Sequence, residues 1–300
     1  MGDTEMTVLT VDVGQKYIRY GFFDKNDNLT GKGQYQISNA SANTFYASLA
    51  KIVKESGFDV TAISISFPGF IDVKHNVAIR AGSLRILDGH NIAEDFHHYI
   101  DKDIEIFIEN NSNCAAIAEK LNGNAQDVHD FVVMTLGNGI GGAIYINNKL
   151  LRGIGYSAGE FGMMVCDYTG HGYDSEHFLA STKALIADYS EMRGIPNDLV
   201  EEYQIFSELD DPQVKKIVDH WATYVAICIF NIVCTLNPQK FLIGGSISQN
   251  SELIPILNTK LAGIPNWRDF ETIVEPCHFF DDASLYGAYW AYIGSKNNVS

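Results

Sequence analysis

A glycine-rich stretch in the middle of the sequence is the strongest local signal for chemistry. The letters LGNGIGGAI place Gly137, Gly139, Gly141 and Gly142 between two apolar segments that predict strands. Glycines let a turn approach a phosphate without side chains in the way, so that backbone N–H groups can face the negative charge. A tight hairpin that needs positive φ angles would use the same residues, and spacing alone does not separate the two interpretations.

Two further turns have residue types that suit a nucleotide. Gly244, Gly245 and Ser246 in LIGGSIS follow a predicted buried strand and precede a predicted helix, so a nucleotide could lie against the helix N-terminus. Asp12 in VDVGQK stands at a predicted strand end beside Gly14, where its carboxylate could hold hydrated Mg²⁺. The alternatives are a simple strand-to-helix turn for the first and an ordinary turn aspartate for the second.

The elements that must position these turns alternate between strands and helices. MTVLTVDV and IRYGFFD predict a hairpin around Gly14, residues 43–56 predict a helix, and TAISISF predicts a strand that ends at Pro68 and Gly69. The apolar face of the helix consists of Phe45, Leu49, Ile52 and Val53. The same order of strand, glycine turn and strand recurs in DFVVMTLGNGIGGAIYINNKLL. This recurrence indicates two halves of similar design, with parallel sheets and helical crossovers.

Composition limits the classes of function. A chain of 300 residues is long enough for two lobes with a core each. The net charge of −16 and the lack of a basic run argue against a nucleic-acid partner. Five widely spaced cysteines suit reduced thiols in the cytoplasm rather than a disulfide framework.

Neither a leader nor a membrane span is expected. The N-terminus MGDTEMTVLTVDVG lacks a positive region ahead of an apolar stretch, so no signal peptide is predicted. The most apolar segment, WATYVAICIFNIVCTL at residues 221–236, is shorter than a bilayer-spanning helix needs and contains Asn231. We therefore predict a buried core helix there, no membrane partner and a cytoplasmic protein.

The order of the motifs along the chain is more specific than any single motif. An acidic hairpin near the N-terminus is followed by FPG, IENNSNCAAIAE, LGNGIGG, AGEFG and LIGGSIS. In this order the chain resembles the ROK family of sugar kinases over nearly its whole length, with the glucokinase-like and β-glucoside kinase members as the best match. The resemblance implies an α/β protein with the two-lobed actin-like ATPase (ribonuclease H-like) fold. We place the lobes at residues 1–115 and 116–300, with a last helix that could pack back on the N-terminal lobe.

The resemblance assigns roles to residues of these motifs. The nucleotide-binding positions are Asp12, Gly14, Gln15, Lys16, Arg19, Gly137, Asn138, Gly139, Gly141, Gly142, Gly244, Gly245 and Ser246, with Asp12 holding Mg²⁺ through water. The sugar-binding positions are Pro68, Gly69, Asn110, Glu160 and His177. His177 aligns with a family glutamate, although a one-residue slip would bring Glu176 to that place, and a surface histidine at a helix start is the alternative. The expected ligands are ATP, Mg²⁺ and a small-molecule sugar.

Three departures from the family pattern fall on the chemistry. The family's ENDAN reads ENNSN here, so Asn111 occupies the position of the aspartate that takes the proton from the sugar's 6-hydroxyl. An amide is not a useful base, and a positioned general base typically contributes about 10²–10⁴-fold to the rate. Gln15 and Lys16 replace the glycine and threonine that face the phosphates in the family's DIGGTSIK.

The structural zinc site of the family is not expected in this chain. Met163 replaces the family's histidine ligand, and the sequence lacks the CxCGxxGC cluster. Cys166, His171 and His177 remain, but three scattered residues without CxxC spacing do not predict a zinc site.

Two functions from different classes therefore stay open. The first is a sugar kinase that phosphorylates the 6-hydroxyl of a hexose or β-glucoside, with activity reduced by Asn111. The second is a catalytically impaired relative that binds sugar, nucleotide or both as a sensor or partner. A ROK-type repressor is set aside because those members carry an added N-terminal helix-turn-helix domain, whereas the first predicted strand begins by residue 7 here. From the family resemblance we also expect a homodimer.

Overall fold

A computed structural model describes residues 6–37, 41–167, 172–270 and 272–296. Its strands are β1 (Val8–Val13), β2 (Tyr17–Phe23), β3 (Leu29–Gln36), β4 (Ala62–Phe67), β5 (Phe70–Asp72), β6 (Val77–Arg80), β7 (His90–Asn91), β8 (Glu105–Asn110), β9 (Phe131–Leu136), β10 (Ile140–Ile146), β11 (Lys149–Leu150), β12 (Val165–Asp167), β13 (Asp174–Ser175), β14 (Lys240–Gly244) and β15 (Ile273–Pro276). Its α-helices are α1 (Ala42–Glu55), α2 (Ile92–His97), α3 (Asn111–Asn122), α4 (Glu176–Leu179), α5 (Thr182–Arg193), α6 (Glu202–Ser207), α7 (Pro212–Leu236), α8 (Leu253–Ala262) and α9 (Ala283–Lys296).

The chain forms two compact units that alternate along the sequence. The first unit takes Met1–Ala118, Arg152–Ala158 and Asp282–Ser300, and the second unit takes Glu119–Leu151 and Gly159–Asp281. Helix α3 begins in the first unit and ends in the second, and α9 belongs to the first. Each unit therefore draws on segments that are far apart in the sequence.

The first unit is built on a five-stranded sheet in the order β3-β2-β1-β4-β8. Strands β1, β2 and β3 pair antiparallel, whereas β4 and β8 run parallel to β1. Strands β1 and β4 are buried along their whole length, which explains why both are rich in β-branched and other apolar residues. The predicted hairpin around Gly14 and the predicted strand in TAISISF are confirmed.

Helix α1 covers part of this sheet with its apolar face. Ser41 caps the helix, because its hydroxyl accepts a hydrogen bond from the Thr44 N–H at 3.2 Å. Phe45, Leu49 and Ile52 are buried and Val53 is half-buried. The predicted amphipathic helix is confirmed, displaced by one residue at each end.

Helix α9 packs on β1 and β4 of the first unit. The Ser64 hydroxyl donates to the Ala288 carbonyl oxygen at 2.6 Å, and the rings of Phe23 and Tyr289 stack with centroids 4.3 Å apart. A Cβ added to Gly287 would lie 1.8 Å from the Cys114 carbonyl oxygen, so only glycine allows this approach of α9 to α3. The C-terminal helix is thus an integral part of the first unit.

The second unit repeats the sheet pattern of the first. Its five strands are ordered β11-β10-β9-β14-β15, with β9, β10 and β11 antiparallel and with β14 and β15 parallel to β9. The core of this unit packs around β9, β14 and helix α7. The prediction of an α/β protein with two halves of similar design is confirmed.

Helix α7 is the core helix of the second unit. Asp211 caps it through a 2.8 Å hydrogen bond from the Gln213 N–H, and Pro212 opens the first turn. The indole N–H of Trp221 donates to the carbonyl oxygens of Ala180 and Ser181, both at 3.0 Å. Its buried residues are Val214, Val218, Trp221, Ala222, Val225, Ala226, Cys228, Ile229, Ile232 and Val233. The predicted core helix is confirmed by this packing.

The length argument against a membrane span was wrong, however. Helix α7 has 25 residues, because it begins well before the apolar run, and within the described parts of the chain it is the one helix long and apolar enough to cross a membrane. Half of its most apolar window is buried inside the protein. Burial of this kind, rather than length, identifies a core helix.

Candidate functional site

Asp12 lies in a hydrogen-bond network within the first sheet. It stands opposite Arg19 in the β1–β2 register, and its Oδ2 accepts hydrogen bonds from Arg19 Nε at 3.1 Å and Nη2 at 2.6 Å. Its Oδ1 accepts a hydrogen bond from the Ser66 hydroxyl on β4 at 3.1 Å. The residue is 7% exposed. The alternative interpretation of Asp12 as a turn aspartate is therefore wrong.

This arrangement is a poor fit for a directly bound Mg²⁺. The guanidinium group of Arg19 already balances the charge of the Asp12 carboxylate, and Mg²⁺ needs several oxygen ligands in octahedral geometry. The described residues contain no group of three or more His, Cys, Asp or Glu side chains that could hold a metal ion. Contact of Asp12 with Mg²⁺ through water stays a prediction.

The turn between β1 and β2 exposes two of the residues that depart from the family pattern. The N–H of Gly14 donates to the Tyr17 carbonyl oxygen at 3.0 Å, and a Cβ on Gly14 would lie 2.8 Å from that oxygen. Gln15 and Lys16 are exposed. The turn thus requires Gly14, whereas a change at Gln15 or Lys16 leaves no cavity in the core.

Asn110 joins the predicted sugar-binding turn to the start of α3. Its Nδ2 donates to the Gly69 carbonyl oxygen at 2.8 Å, and its Oδ1 accepts from the Asn113 N–H at 3.0 Å. Gly69 has a φ of +95°, and a Cβ there would lie 2.1 Å from the Arg80 carbonyl oxygen. The structure therefore brings together Asn110, Gly69 and the adjacent Pro68.

Asn111 is the first residue of α3 and is half-buried. Its Oδ1 accepts a hydrogen bond from the Ser112 N–H at 2.9 Å. A carboxylate at this position would stand at a helix N-terminus, where free N–H groups and the helix dipole stabilise negative charge. The amide preserves the hydrogen bond but has no group that accepts a proton at neutral pH.

Glu109 supports the start of α3 through hydrogen bonds, although no motif in the sequence pointed to it. Its side chain is 1% exposed, and Oε2 accepts from Arg152 Nε at 3.1 Å and Nη2 at 2.6 Å. Oε1 accepts from the Asn110 N–H and from Asn113 Nδ2, both at 2.9 Å. The ion pair and these hydrogen bonds offset the cost of burying the Glu109 side chain. A glutamate at the end of the apolar strand IFIEN was the signal that could have revealed it.

The glycine-rich stretch of the second unit is part turn and part strand. Gly137 and Gly139 form the turn, in which the Gly137 N–H donates to the Gly139 carbonyl oxygen at 3.0 Å. Gly141 and Gly142 lie within β10 and pair with β9, so the expectation that all four glycines lie between the strands was wrong for these two. None of the four has a positive φ. The alternative based on positive φ angles is therefore wrong as well.

Close contact explains the need for glycine at position 142. A Cβ there would lie 2.2 Å from the Phe161 ring and 2.7 Å from the Gly159 carbonyl oxygen. Gly159 in turn has a φ of +90°, and its Cβ would lie 2.5 Å from the Gly142 carbonyl oxygen. Glu160 stands between Gly159 and Phe161 in the chain and is half-buried. This burial raises the pKa of its carboxyl group. Predicted phosphate and sugar residues thus meet at β10.

His177 lies against the glycine turn. A Cβ on Gly139 would lie 2.5 Å from Cε1 and 2.7 Å from Nδ1 of the His177 ring. The histidine is half-buried in this contact. Its placement beside the turn suits contact with a ligand there, and its role in sugar binding stays a prediction.

Glu176 is a buried acid with an unusual environment. It has no exposed surface, and neither carboxylate oxygen has a hydrogen-bond partner among the residues that the structure describes. Burial raises the pKa of its carboxyl group to about 7, an effect that the neighbouring Cys166 thiol offsets only in part. Burial and the same carboxyl raise the pKa of Cys166 to about 12. Glu176 therefore faces the core, whereas His177 faces the turn.

At the third turn, a short 3₁₀-helix comes between the glycines and the predicted α-helix. Gly245 has a φ of +94°, and its Cβ would lie 2.0 Å from a carbonyl oxygen of β9, so glycine is required after Gly244. A short 3₁₀-helix, Ser246–Gln249, comes next, and α8 begins only at Leu253. The helix expected after this turn, from about Ser251, is therefore present, but its N-terminus lies beyond the turn itself. The Ser246 hydroxyl donates to the Glu202 carboxylate.

Among the described residues, the candidate zinc ligands do not form a metal-binding cluster. Met163, at the position of the family's histidine, is 67% exposed. The Cys166 thiol donates to the Asp174 carbonyl oxygen at 3.6 Å. His171 lies outside the described residues, and His177 packs on Gly139. The donor set around Cys166 does not fit a structural zinc ion.

Comparison with known proteins gives the class of the protein. A family model described as ROK family matches residues 8–294, so the chain belongs to the ROK family. A β-glucoside kinase from Listeria monocytogenes is 28% identical over 297 residues, which cover 97% of this chain and 99% of that relative. The family resemblance drawn from the motifs is confirmed.

Solved structures agree with this result. A candidate N-acetylmannosamine kinase from Listeria monocytogenes has a TM-score of 0.87 and 28% identity, covering 97% of this chain and 100% of that chain. A ROK family glucokinase from Streptomyces griseus, solved with glucose and AMPPNP, has a TM-score of 0.80 and 22% identity, covering 94% of this chain and 97% of that chain. The predicted actin-like ATPase fold is confirmed.

Proposed function

We propose that the protein is an ATP-dependent sugar kinase that phosphorylates the 6-hydroxyl of a hexose or β-glucoside, at a rate lowered by Asn111. The observation that carries this proposal is the placement of Asn110, an amide fixed between Gly69 and the start of α3 in a chain of the ROK family. The β-glucoside kinase among the relatives supports the substrate class.

Each residue is given a proposed role from its position within its own unit. Asn110 and Glu160 form hydrogen bonds with sugar hydroxyls. His177, beside the glycine turn that it contacts, also binds the sugar. Each hairpin turn is assigned phosphate-binding residues of its own, and Lys16 supplies positive charge in the turn of the first unit. The nucleoside lies against Gly244, Gly245 and Ser246. Mg²⁺ accompanies the phosphates of ATP and neutralises part of their charge.

The reaction needs one bond to form and one to break. The 6-oxygen of the sugar attacks the γ-phosphorus, the bond from that phosphorus to the bridging oxygen breaks, and ADP leaves. Because Asn111 cannot take the hydroxyl proton, water is the acceptor. Positioning and charge stabilisation account for most of the catalysis of phosphoryl transfer, since its transition state is loose. Some turnover therefore survives the loss of the base.

A catalytically impaired sugar- or nucleotide-binding protein is the second candidate function. It is favoured by the fact that Gln15, Lys16 and Asn111 all depart from the family pattern at positions assigned to chemistry. Such a protein would act as a sensor or as a partner of another protein. It would bind sugar without transferring phosphate.

The test is ADP release with ATP, Mg²⁺ and glucose, N-acetylmannosamine or cellobiose. We expect Asn111→Asp to raise kcat by about 10²–10⁴-fold, the usual contribution of a general base. Asn122→Asp is the matched control, because it adds the same charge at the exposed far end of the same helix. Rapid turnover by the unsubstituted chain would contradict the reduced rate. Lack of turnover in both chains, with sugar binding intact, would favour the second candidate.

The remaining expectations are proposals about the cellular context. We propose a cytoplasmic enzyme whose partner is a small sugar rather than a nucleic acid or a membrane. The net charge of −16 supports the lack of a nucleic-acid partner. A homodimer is proposed from the family resemblance, and sedimentation velocity would test it.

A further inference from the structure

The first unit contains a cavity of about 270 Å³ that the proposed kinase activity does not use. Three chain segments line it: the end of α1, the link from α1 to β4 and the link from α2 to β8. The lining residues are Val53, Lys54, Gly57, Phe58, Val60, Ile100, Asp101, Lys102 and Ile104. We call it the α1–β4 cavity.

The α1–β4 cavity lies at the opposite edge of the sheet from the predicted acceptor residues. Val60 and Ile104 stand just before β4 and β8, whereas Asn110 is the last residue of β8. Because β4 and β8 are parallel, their first residues share one edge of the sheet and their last residues share the other. The length of β8 separates the two edges by about 17 Å. The cavity is therefore distinct from the site around Asn110.

The inner wall of the cavity is apolar and held in place. Val60, Ile100 and Ile104 are at most 8% exposed. Phe58 is 41% exposed, although its ring stacks on the ring of Phe22 with centroids 4.3 Å apart. Packing thus fixes the Phe58 ring and leaves part of it open to an apolar ligand group. A wall that is already ordered loses little conformational freedom on binding.

The rim of the cavity is charged, with Lys54, Asp101 and Lys102 all exposed. Lys102 is engaged by Asp59, with Nζ and Oδ1 2.6 Å apart. The side chains of Lys54 and Asp101 form no ion pair with any residue that the structure describes. One ammonium and one carboxylate at the rim are therefore available to a ligand beside an apolar wall.

A zwitterion with an apolar side chain matches this arrangement. Its carboxylate pairs with the Lys54 ammonium, its ammonium pairs with the Asp101 carboxylate, and its side chain packs on Phe58 and the buried aliphatic residues. A sugar would bring hydroxyl groups against the apolar wall, which costs free energy. The volume is close to the lower limit of small-ligand sites, about 300–1,000 Å³, which suits one amino acid better than a nucleotide.

We propose that the α1–β4 cavity binds a free amino acid with a large apolar side chain, such as phenylalanine. Lys54 and Asp101 recognise the two charged groups of the amino acid, and Phe58 contacts its side chain. The inference is independent of the proposed kinase activity, because the cavity contains none of the residues assigned to sugar or nucleotide.

The test is a ligand-observed NMR titration of the full chain with three probes. L-Phenylalanine carries both charges, 3-phenylpropanoate lacks the ammonium and phenethylamine lacks the carboxylate. Lys54→Met should weaken binding of phenylalanine and 3-phenylpropanoate by about 5-fold, the upper value for an exposed ion pair, and should leave phenethylamine unchanged. Asp101→Asn should weaken binding of phenylalanine and phenethylamine by the same factor and should leave 3-phenylpropanoate unchanged.

Each variant has a matched control close to it in the chain. Lys51→Met changes an exposed lysine of the same helix that pairs with Glu55 and does not line the cavity. Asp103→Asn changes an exposed aspartate two residues beyond Asp101, also outside the lining. Neither control should alter binding of any probe. Since all four positions are exposed, these substitutions leave the core intact.

The apolar wall is tested with Phe58→Ala. This variant should weaken binding of all three probes by about 10-fold, as expected for loss of an apolar contact. Thermal unfolding of the variant checks that the first unit still folds. An unchanged affinity for phenylalanine in a folded Phe58→Ala variant would overturn the inference.

The charge pattern supplies the remaining outcomes. If phenylalanine does not bind the unsubstituted chain at millimolar concentrations, the inference is overturned. It is overturned as well if 3-phenylpropanoate and phenethylamine bind as tightly as phenylalanine, because the cavity would then accept apolar compounds in general. Equal weakening of all three probes by Lys54→Met or Asp101→Asn would contradict the assigned recognition of the two charges.

Discussion

The two units have sheets of the same topology but hold their predicted site residues by different means. In the first unit, ion pairs of buried carboxylates hold them: Asp12 pairs with Arg19, and the pair of Glu109 with Arg152 supports the adjacent Asn110. In the second unit, backbone segments approach one another across a glycine, as Gly142 does with Gly159. Electrostatic pairing thus positions one set of residues and close packing the other.

Because of this difference, the presence of a glycine motif is weak evidence of catalytic activity. A Cβ at Gly142 or Gly245 would lie within 2.2 Å of another atom, so packing alone is sufficient to keep both glycines. Gln15 and Lys16 are exposed, and Asn111 preserves the hydrogen bond at the start of α3. The fold therefore constrains Gly142 and Gly245 strongly and these three positions weakly.

The largest expected effect tests the ion pair of the first unit. Arg152→Met should lower the free energy of unfolding by about 4 kcal/mol, because it leaves the buried Glu109 carboxylate without its cationic partner. Urea denaturation at pH 7 measures this loss. The double variant Glu109→Gln with Arg152→Met removes both charges and should recover most of it.

An exposed ion pair supplies the control for this variant. Lys102 and Asp59 are 2.6 Å apart with side chains 59% and 70% exposed. Lys102→Met should cost less than about 1 kcal/mol, as is usual for surface pairs. If Arg152→Met is no more destabilising than Lys102→Met, ion pairing does not hold the first unit in place.

A second prediction tests close packing in the second unit. Gly142→Ala should lower the free energy of unfolding by about 3 kcal/mol, because the new methyl group would overlap the Phe161 ring and the Gly159 backbone. Gly137→Ala, in the same hairpin, meets only one atom at 4.0 Å and should be nearly neutral. Equal effects in urea denaturation would mean that the glycines are not kept by packing.

A third prediction concerns pH and two buried glutamates of the second unit. The pKa of Glu176 is about 7 in the folded protein, against an ordinary value of 4.5. The folded state therefore keeps a proton that the unfolded state loses, so stability falls as pH rises from 4.5 to 7. Glu176→Gln should remove the share of this fall that Glu176 contributes and should be about 2 kcal/mol more stable than the unsubstituted chain at pH 8.

Glu119 provides the contrast to Glu176. Its carboxylate accepts the N–H groups of Asn124 and His278 at 2.8 Å and of Phe279 at 3.2 Å. Glu119→Gln should destabilise by about 1–3 kcal/mol at pH 8, because an NH₂ group would then face a donor. Unfolding measured at pH 5 and pH 8 checks both variants. Parallel profiles for Glu176→Gln and the unsubstituted chain would mean that Glu176 is not the titrating group.

Elements whose pattern is local could be predicted from the sequence. The hairpin around Gly14, the capped helix α1 and helix α7 after Asp211 and Pro212 all follow from periodicity and capping residues. The order of motifs predicted the family, which in turn predicted the fold. The position of Asn110 beside Gly69 agrees with the roles that the family pattern assigns to both.

Contacts between distant segments could not be predicted in this way. Glu109 and Arg152 are 43 residues apart, and no period in the sequence relates them. Gly141 and Gly142 looked like turn residues because glycine suits turns, but contact with Phe161 decides the case at Gly142. The inward direction of Glu176 and the outward direction of its neighbour likewise depend on tertiary packing.

The place of α9 in the first unit has a consequence for synthesis on the ribosome. Strands β1 and β4 emerge early, but the helix that packs on them, through Ala288 and Tyr289, is made after every segment of the second unit. The segment Arg152–Ala158, in which Arg152 pairs with Glu109, also emerges late relative to its partner. Because folding during translation is limited to the segments already released, the second unit can complete its core before the first unit can. The order in which the units mature is thus expected to be the reverse of the order in which they begin.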